Sequence, residues 1–285
     1  MTRLLLWALG MGLLSAQSPE LLRARKLYQQ TDYSSALAVI ESVGSRQTAE
    51  LSELAGQCHY MKGDFKKAVE DFERAVQLDG TRSTAYHGLG RSWGRRAELA
   101  NPLMAPSYAS RARQAFEKAV ALDPHNHEAV NDLFQYYLEA PGFLGGGLDK
   151  ASALVNKIEG NDPAEVHYAL AQIALRRKQP ELAERYFRKA VEVAPRQVGR
   201  LIDLARFLAG QGKIHESEAI FLQAEQIDPH NPTLLFNRAS TYIESKRNLS
   251  EARRMLQEYL TLPLTPDDPP REDAHKLLKM VAGGA

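Results

Sequence analysis
The sequence is short of several things that would announce a chemistry. Of its 285 residues only Cys58 is cysteine, which excludes an internal disulfide and any cysteine-rich metal centre, so the fold must rest on packing. There is no His-Glu-x-x-His pair for zinc, and no Gly-x-Ser-x-Gly elbow to expose a nucleophile. The run Gly145-Gly146-Gly147 followed by Asp149 and Lys150 lacks the Gly-Lys-Ser/Thr that grips a phosphate and reads as a turn. His125 and His127 invite comparison with a metal site, yet Asp123-Pro124-His125-Asn126 returns as Asp228-Pro229-His230-Asn231, and recurrence points to turn geometry. Cys58 sits within a helical pattern with no evident base beside it, so nucleophilic catalysis has no candidate either. No catalytic, cofactor-binding or metal-binding set is therefore expected, and the chain reads as a non-enzyme.

Long apolar runs are also scarce. The one near an end is Leu4 to Leu14, preceded by Arg3 and followed by Ser15 and Ala16, with no acidic residue before Glu20. This is the anatomy of a signal peptide, with cleavage expected after Ala16. As a helix, that run spans about 16 Å, short of the ~30 Å hydrocarbon core, so no stable membrane span is expected after cleavage. No cysteine follows the expected cleavage site, which argues against a lipid anchor. Loss of Arg3 with the leader leaves 35 of the 36 basic residues against 35 acidic ones. That balance gives no global attraction to nucleic acid. The expected location is periplasmic or extracellular; a retained leader would instead imply a cytosolic protein.

What is present is a repeat. A small residue, an apolar residue four later and another seven later occur together seven times: Ala36, Ile40, Val43; Ala68, Phe72, Ala75; Ala112, Phe116, Ala119; Ala151, Val155, Ile158; Ala183, Phe187, Ala190; Ser217, Phe221, Ala224; and Ala252, Leu256, Tyr259. Offsets of four and seven share one helical face. Twelve residues after the leading position stand Gly80, Pro124, Pro163, Pro195 and Pro229, which end the helix. Twelve before it stand Ala24, Gly56, Ala171 and Ala205, marking a partner helix. Turns such as Lys62-Gly63-Asp64-Phe65 and Gln211-Gly212-Lys213-Ile214 join the two. Small residues on both helices let antiparallel partners approach closely, which accounts for Gly56 and Ala68.

On these residues the chain resembles the tetratricopeptide repeat family, with Leu54 to Gly80, Leu170 to Pro195 and Leu204 to Pro229 carrying the pattern and Tyr86 to Pro124 carrying it with an insertion. The resemblance implies an all-α fold, a right-handed α-α superhelix of about seven helix-turn-helix repeats over 18–48, 49–82, 83–126, 127–163, 164–197, 198–231 and 232–262. A linker and capping helix would occupy 263–285, with Ala274, Leu277, Leu278 and Val281 on one helical face. Anchor intervals of 32, 44, 39, 32, 34 and 35 place insertions in the third and fourth repeats, around Asn101 to Ser107 and Pro141 to Gly147. Both are candidate contact loops. Trp93, Tyr137 and Tyr242 fall in apolar slots and are expected in the core.

In this family the first helix of each pair lines a concave groove. Carried onto this chain, the outward positions hold Arg25, Tyr28, Gln57, Tyr60, His87, Arg91, Arg95, Asn131, Gln135, Tyr168, Gln172, Arg176 and Arg206. Arginine forks suit carboxylates, and tyrosine adds rigid amphipathic area. The resemblance thus implies a scaffold or adaptor whose partner is a protein or peptide, acidic or carboxylate-terminated, within a cell-envelope or secretion assembly. Two other readings stay open: an auxiliary subunit that positions a separate enzyme, and helix faces that are simply solvated.

Overall fold
The structure, a computed structural model, describes residues 18–44, 47–158 and 162–282. The leader Met1 to Ala16, its cleavage site and the side chain of Ile158 lie outside the described residues. Among those described, fifteen α-helices and no strands are found.

Fourteen of the helices form seven antiparallel pairs: α1 (Pro19–Gln29) with α2 (Tyr33–Ser42), α3 (Ala49–Met61) with α4 (Phe65–Leu78), α5 (Ser83–Leu99) with α6 (Ala105–Leu122), α7 (His127–Glu139) with α8 (Leu148–Ile158), α9 (Pro163–Arg176) with α10 (Pro180–Val193), α11 (Val198–Gly210) with α12 (Ile214–Ile227), and α13 (Pro232–Glu244) with α14 (Leu249–Thr261). The fifteenth, α15 (Arg271–Ala282), packs on α14 and α13 and buries Ala274 and Val281, with Leu277 and Leu278 half-buried. Each repeat is stacked mainly on its neighbours, and first helices touch one another in the series α1, α3, α5, α7 and again at α11 and α13. The second helices make no comparable contact with each other. They splay on the outside, and the first helices form the inner wall of a curved α-α solenoid.

The periodic triplets form the spine of the core. Every described member, from Ala36 through Tyr259, is buried below a tenth of its surface. Small residues matter because aromatic rings are driven against the helices of two repeats at once. A Cβ on Gly56 would stand 2.9 Å from the Phe72 ring, and one on Gly88 only 2.3 Å from its far edge. Gly90 meets Phe116 in the same way, at 2.5 Å. Trp93 and Tyr242 are buried as expected, whereas Tyr137 is half-buried because its hydroxyl reaches out to donate to Glu117 at 2.7 Å.

The turn inside five of the seven pairs follows one backbone plan. At Gly63 and Gly212 the chain enters the left-handed region, with φ of 76° and 75°. Thr31, Lys178 and Lys246 do the same at 58°, 58° and 51°. In all five the following residue's amide closes on a carbonyl one turn back, as in Asp64 to His59 and Gln179 to Ala174, a Schellman closure. Hairpin packing dictates this geometry even where no glycine supplies it.

The two insertions take opposite forms. Asn101 to Ser107 is not a long loop: α5 ends nine residues past Gly90 where α3 ends five past Gly56, and α6 begins seven before Ala112 where α4 begins three before Ala68. Most of the added chain lengthens both helices, leaving a turn of residues 100–104 in which the Asn101 amide oxygen accepts from the Leu103 and Met104 amides at 3.1 Å. Pro141 to Gly147 stays outside α7 and α8, forms a single 3-10 turn at Gly142–Leu144, and exposes Phe143. Proline and glycine cannot extend either helix there. The repeated Asp-Pro-His-Asn phrase is a capping turn, since Asn126 and Asn231 accept the Ala129 and Leu234 amides at 3.1 and 2.9 Å. None of the described helices is long and apolar enough to cross a membrane.

Candidate functional site
The inner wall carries the outward-facing residues of the first helices. Near the start of the array, Tyr28 from α1, Gln57 and Tyr60 from α3, and His87 and Arg91 from α5 surround a cavity of about 470 Å³. A second, of about 690 Å³, adjoins it and takes Tyr60, Arg91 and Arg95. Further along, Asn131 and Gln135 from α7, Tyr168 from α9 and Arg206 from α11 share a third, of about 380 Å³. Arg25, Gln172 and Arg176 lie on the same helices outside these cavities, and Arg176 is within 3.7 Å of Glu139.

Charge on this wall is more mixed than the arginines alone suggest. Arg91 lies over the Tyr60 ring, 4.6 Å from its centre, and 3.9 Å from Asp132. His87 does not present a free ring: it is 5% exposed, hydrogen-bonded to Asp132 at 2.7 Å and beside Phe116. Glu53 on α3 is buried and held by Arg82 at 2.7 Å. In the third cavity, Arg200 donates to Glu165 at 2.7 Å, lies 3.3 Å from Asp203 and covers the Tyr168 ring. Burial pushes the Asp203 carboxyl up to about 6 against the pull of Arg200, and raises Glu165 in the same direction. Burial likewise raises the Tyr168 hydroxyl to about 12.

Sequence reasoning missed Asp132, Glu165, Arg200 and Asp203. A signal for two of them exists: Asp132 and Asp203 both stand two residues before the small-residue slot, at Phe134 and Ala205, and Asn237 holds the same phase before Ala239. Cys58 lies wholly buried among Leu51, Leu54 and Ala55, and burial pushes its thiol up to about 12. A thiol so placed is a packing group, since the thiolate is the reactive form.

The concave side also meets the chain's own C-terminal connection. Residues 262–270, between α14 and α15, bring Pro266 and Asp267 to the edge of the first cavity, and Thr265 to Asp273 form one side of the second. This connection is fastened at its base. The Asp268 carboxylate accepts from the Thr265 amide and hydroxyl at 2.8 and 2.9 Å, the Tyr259 hydroxyl donates to the Pro269 carbonyl, and Arg271 donates to the Leu262 carbonyl at 2.8 Å.

The tetratricopeptide repeat family model matches residues 49–82 and 164–197, the segments of α3 with α4 and α9 with α10. No curated protein matches the sequence. In shape, the chain is similar to a tetratricopeptide repeat protein from Parabacteroides merdae, with a TM-score of 0.61 at 14% identity over 92% of this chain and 97% of that one. It is similar also to a thermophilic TPR protein of Thermus thermophilus, with a TM-score of 0.53 at 21% identity over 66% of this chain and 97% of that one. The C-terminal part of a TPR repeat-containing protein from Cytophaga hutchinsonii gives 0.50 at 17% identity over 90% and 99%. At such identities the likeness establishes the fold. The chain is therefore an all-α solenoid that carries tetratricopeptide repeats.

Proposed function
We propose that this chain is an exported, non-enzymatic scaffold or adaptor that holds a protein or peptide segment, acidic in character, against its concave face. The observation that carries the reading is the placement of Tyr28, Tyr60, Arg91, Asn131, Gln135, Tyr168 and Arg206 on one face of successive first helices, where they line cavities along one wall. Tyrosine and arginine anchor protein interfaces because they combine apolar area with directed polar groups. Amide side chains at Asn131 and Gln135 can pair with a peptide backbone. Acidic character is favoured by Arg91 and Arg95, which stay 44% and 46% exposed at the side chain despite their acidic neighbours.

Export rests on the leader-like start of the sequence. Proximity crosslinking in the source cell, with mass spectrometry of the captured proteins and of the bait's N-terminus, tests both halves. One dominant partner, lost on Arg91→Glu with Arg206→Glu, and an N-terminus near Gln17 are expected. Capture that is indifferent to both reversals at low salt would refute the groove, and a retained leader would refute export.

A further inference from the structure
The connection between α14 and α15 has a composition of its own. From Leu262 through the first turn of α15 at Asp273 the chain contains Pro263, Pro266, Pro269 and Pro270 together with Arg271 and the acids Asp267, Asp268, Glu272 and Asp273. Proline fixes its own backbone angle and stiffens an extended path, so such a segment loses little entropy when held against a surface. Of its acids, Asp268 is consumed by the turn at Thr265, and Asp273 pairs with Lys276 at 2.7 Å. Asp267 and Glu272 have no ion-pair partner among the described residues, and both are exposed.

These two carboxylates sit on one side of a cavity whose other side carries Tyr60, Arg91 and Arg95. The tip goes further. Pro266 and Asp267 also close the adjoining cavity over Tyr28, Gln57 and Arg91, and the field of Asp267 adds to burial in raising the Tyr28 and Tyr33 hydroxyls. An acidic stretch, the turn at 265–268 followed by the first turn of α15, thus faces the cationic, aromatic part of the groove while its base is tied to α13 and α14.

We propose that residues 265–273 are a tethered occupant of the N-terminal half of the groove, held there by Asp267 and Glu272 facing Arg91 and Arg95. Resting on the peptide-holding reading above, it follows that an external partner uses the same chemistry, an acidic extended segment, and must displace this strap. Unpaired charges at a gap interact through water and ions, so the hold is weak, salt-sensitive and reversible.

The test uses the mature full-length chain with spin labels at Gln29→Cys and Pro270→Cys, Cys58 being left in place because it is buried. The expected distance distribution is narrow. It broadens when Arg91→Glu and Arg95→Glu are introduced, and narrows again when Asp267→Lys and Glu272→Lys are added to them. A labelled synthetic peptide of residues 262–273 then reports displacement: it binds roughly tenfold tighter to the Asp267→Lys, Glu272→Lys chain than to the native one, because occupancy by the strap reduces the competent fraction. Circular dichroism confirms that each variant keeps its helices. A distribution that ignores the charge reversals overturns the proposal. A charge-dependent strap with no peptide binding to either chain leaves the strap standing and refutes the peptide-holding reading instead.

Discussion

Gly88→Ala and Gly94→Ala make a paired experiment on one helix. Both glycines lie in α5, both have helical backbone, and either replacement gains about 1 kcal/mol from helix propensity alone. Their surroundings differ. An added Cβ at Gly94 meets nothing within 4 Å, whereas at Gly88 it would stand 2.3 Å from two atoms of the Phe72 ring. That ring is 1% exposed and backed on another edge by Gly56 at 2.9 Å, so it has nowhere to retreat. Overpacking of this kind costs about 1–3 kcal/mol, and the overlap here is severe, so the net expectation for Gly88→Ala is a loss of about 1–2 kcal/mol after the helix gain. Gly94→Ala is expected to gain about 0.5–1 kcal/mol. Urea unfolding of the chain followed by far-ultraviolet circular dichroism reads both. Adding Phe72→Leu to Gly88→Ala should recover part of the loss by making room. A Gly88→Ala midpoint that rises in step with Gly94→Ala would refute the claim that ring-to-glycine contact sets the spacing of these repeats.

Other expectations follow from the same geometry. Thr31→Gly should stabilise by about 1 kcal/mol in thermal unfolding, because a β-branched residue at φ 58° carries strain that glycine does not; no gain would mean the turn is not strained. Asp203 titrates near 6 when folded, against an ordinary 3.8, so between those values the native chain keeps a proton that the unfolded chain has lost. Stability therefore falls as pH rises through that window, and the advantage of Asp203→Asn over the native chain should grow by on the order of 2 kcal/mol from pH 4 to pH 7; a pH-independent difference would contradict it. Arg238 is buried between Glu218, Glu225 and the Tyr242 hydroxyl, while Glu218 also keeps Arg247 and Tyr242 as partners, so Arg238→Ala should cost about 1.5–3 kcal/mol through its lost charged hydrogen bonds, with partial recovery on Glu218→Gln in denaturant titrations. Cys58 should react with an aromatic disulfide reagent only as the chain unfolds, its rate following denaturant concentration; rapid reaction of the folded chain at pH 8 would contradict the burial of its thiol.

The architecture was legible because its information is local. Offsets of four and seven name the buried face of one helix, and a helix pair needs no distant residue to declare itself, so Ala68, Phe72 and Ala75 could be assigned to a core unseen. The insertions show where local reading fails. Spacing counted the extra residues correctly but not their state; in the third repeat most of the added length went into extending α5 and α6 on either side of a short turn capped by Asn101, while the glycines and proline of 141–147 kept that segment open. At the groove, phase along the first helices identified Tyr28, Tyr60, Arg91 and Arg206. It could not show that Asp132 from the next repeat reaches His87 and Arg91, because that contact depends on the rotation between repeats. The return of Asp267 to Tyr28 is further removed still. It depends on the accumulated curvature of the whole array, a sum of small rotations that no single repeat encodes.

The lengthened third hairpin changes the outline of the array's edge. Every turn inside a pair lies along that edge, and four additional residues on each of α5 and α6 raise theirs by about 6 Å above the turn of the preceding pair. The crest carries Leu99, Leu103 and Met104, all exposed. A flat surface approaching from that side strikes this crest first and is propped away from the turns at Gly63 and Gly212, so only a counterpart with a matching recess can lie flush along the rim. At this rim the outline of the chain, set by helix length alone, limits how closely a flat body can approach the shorter turns.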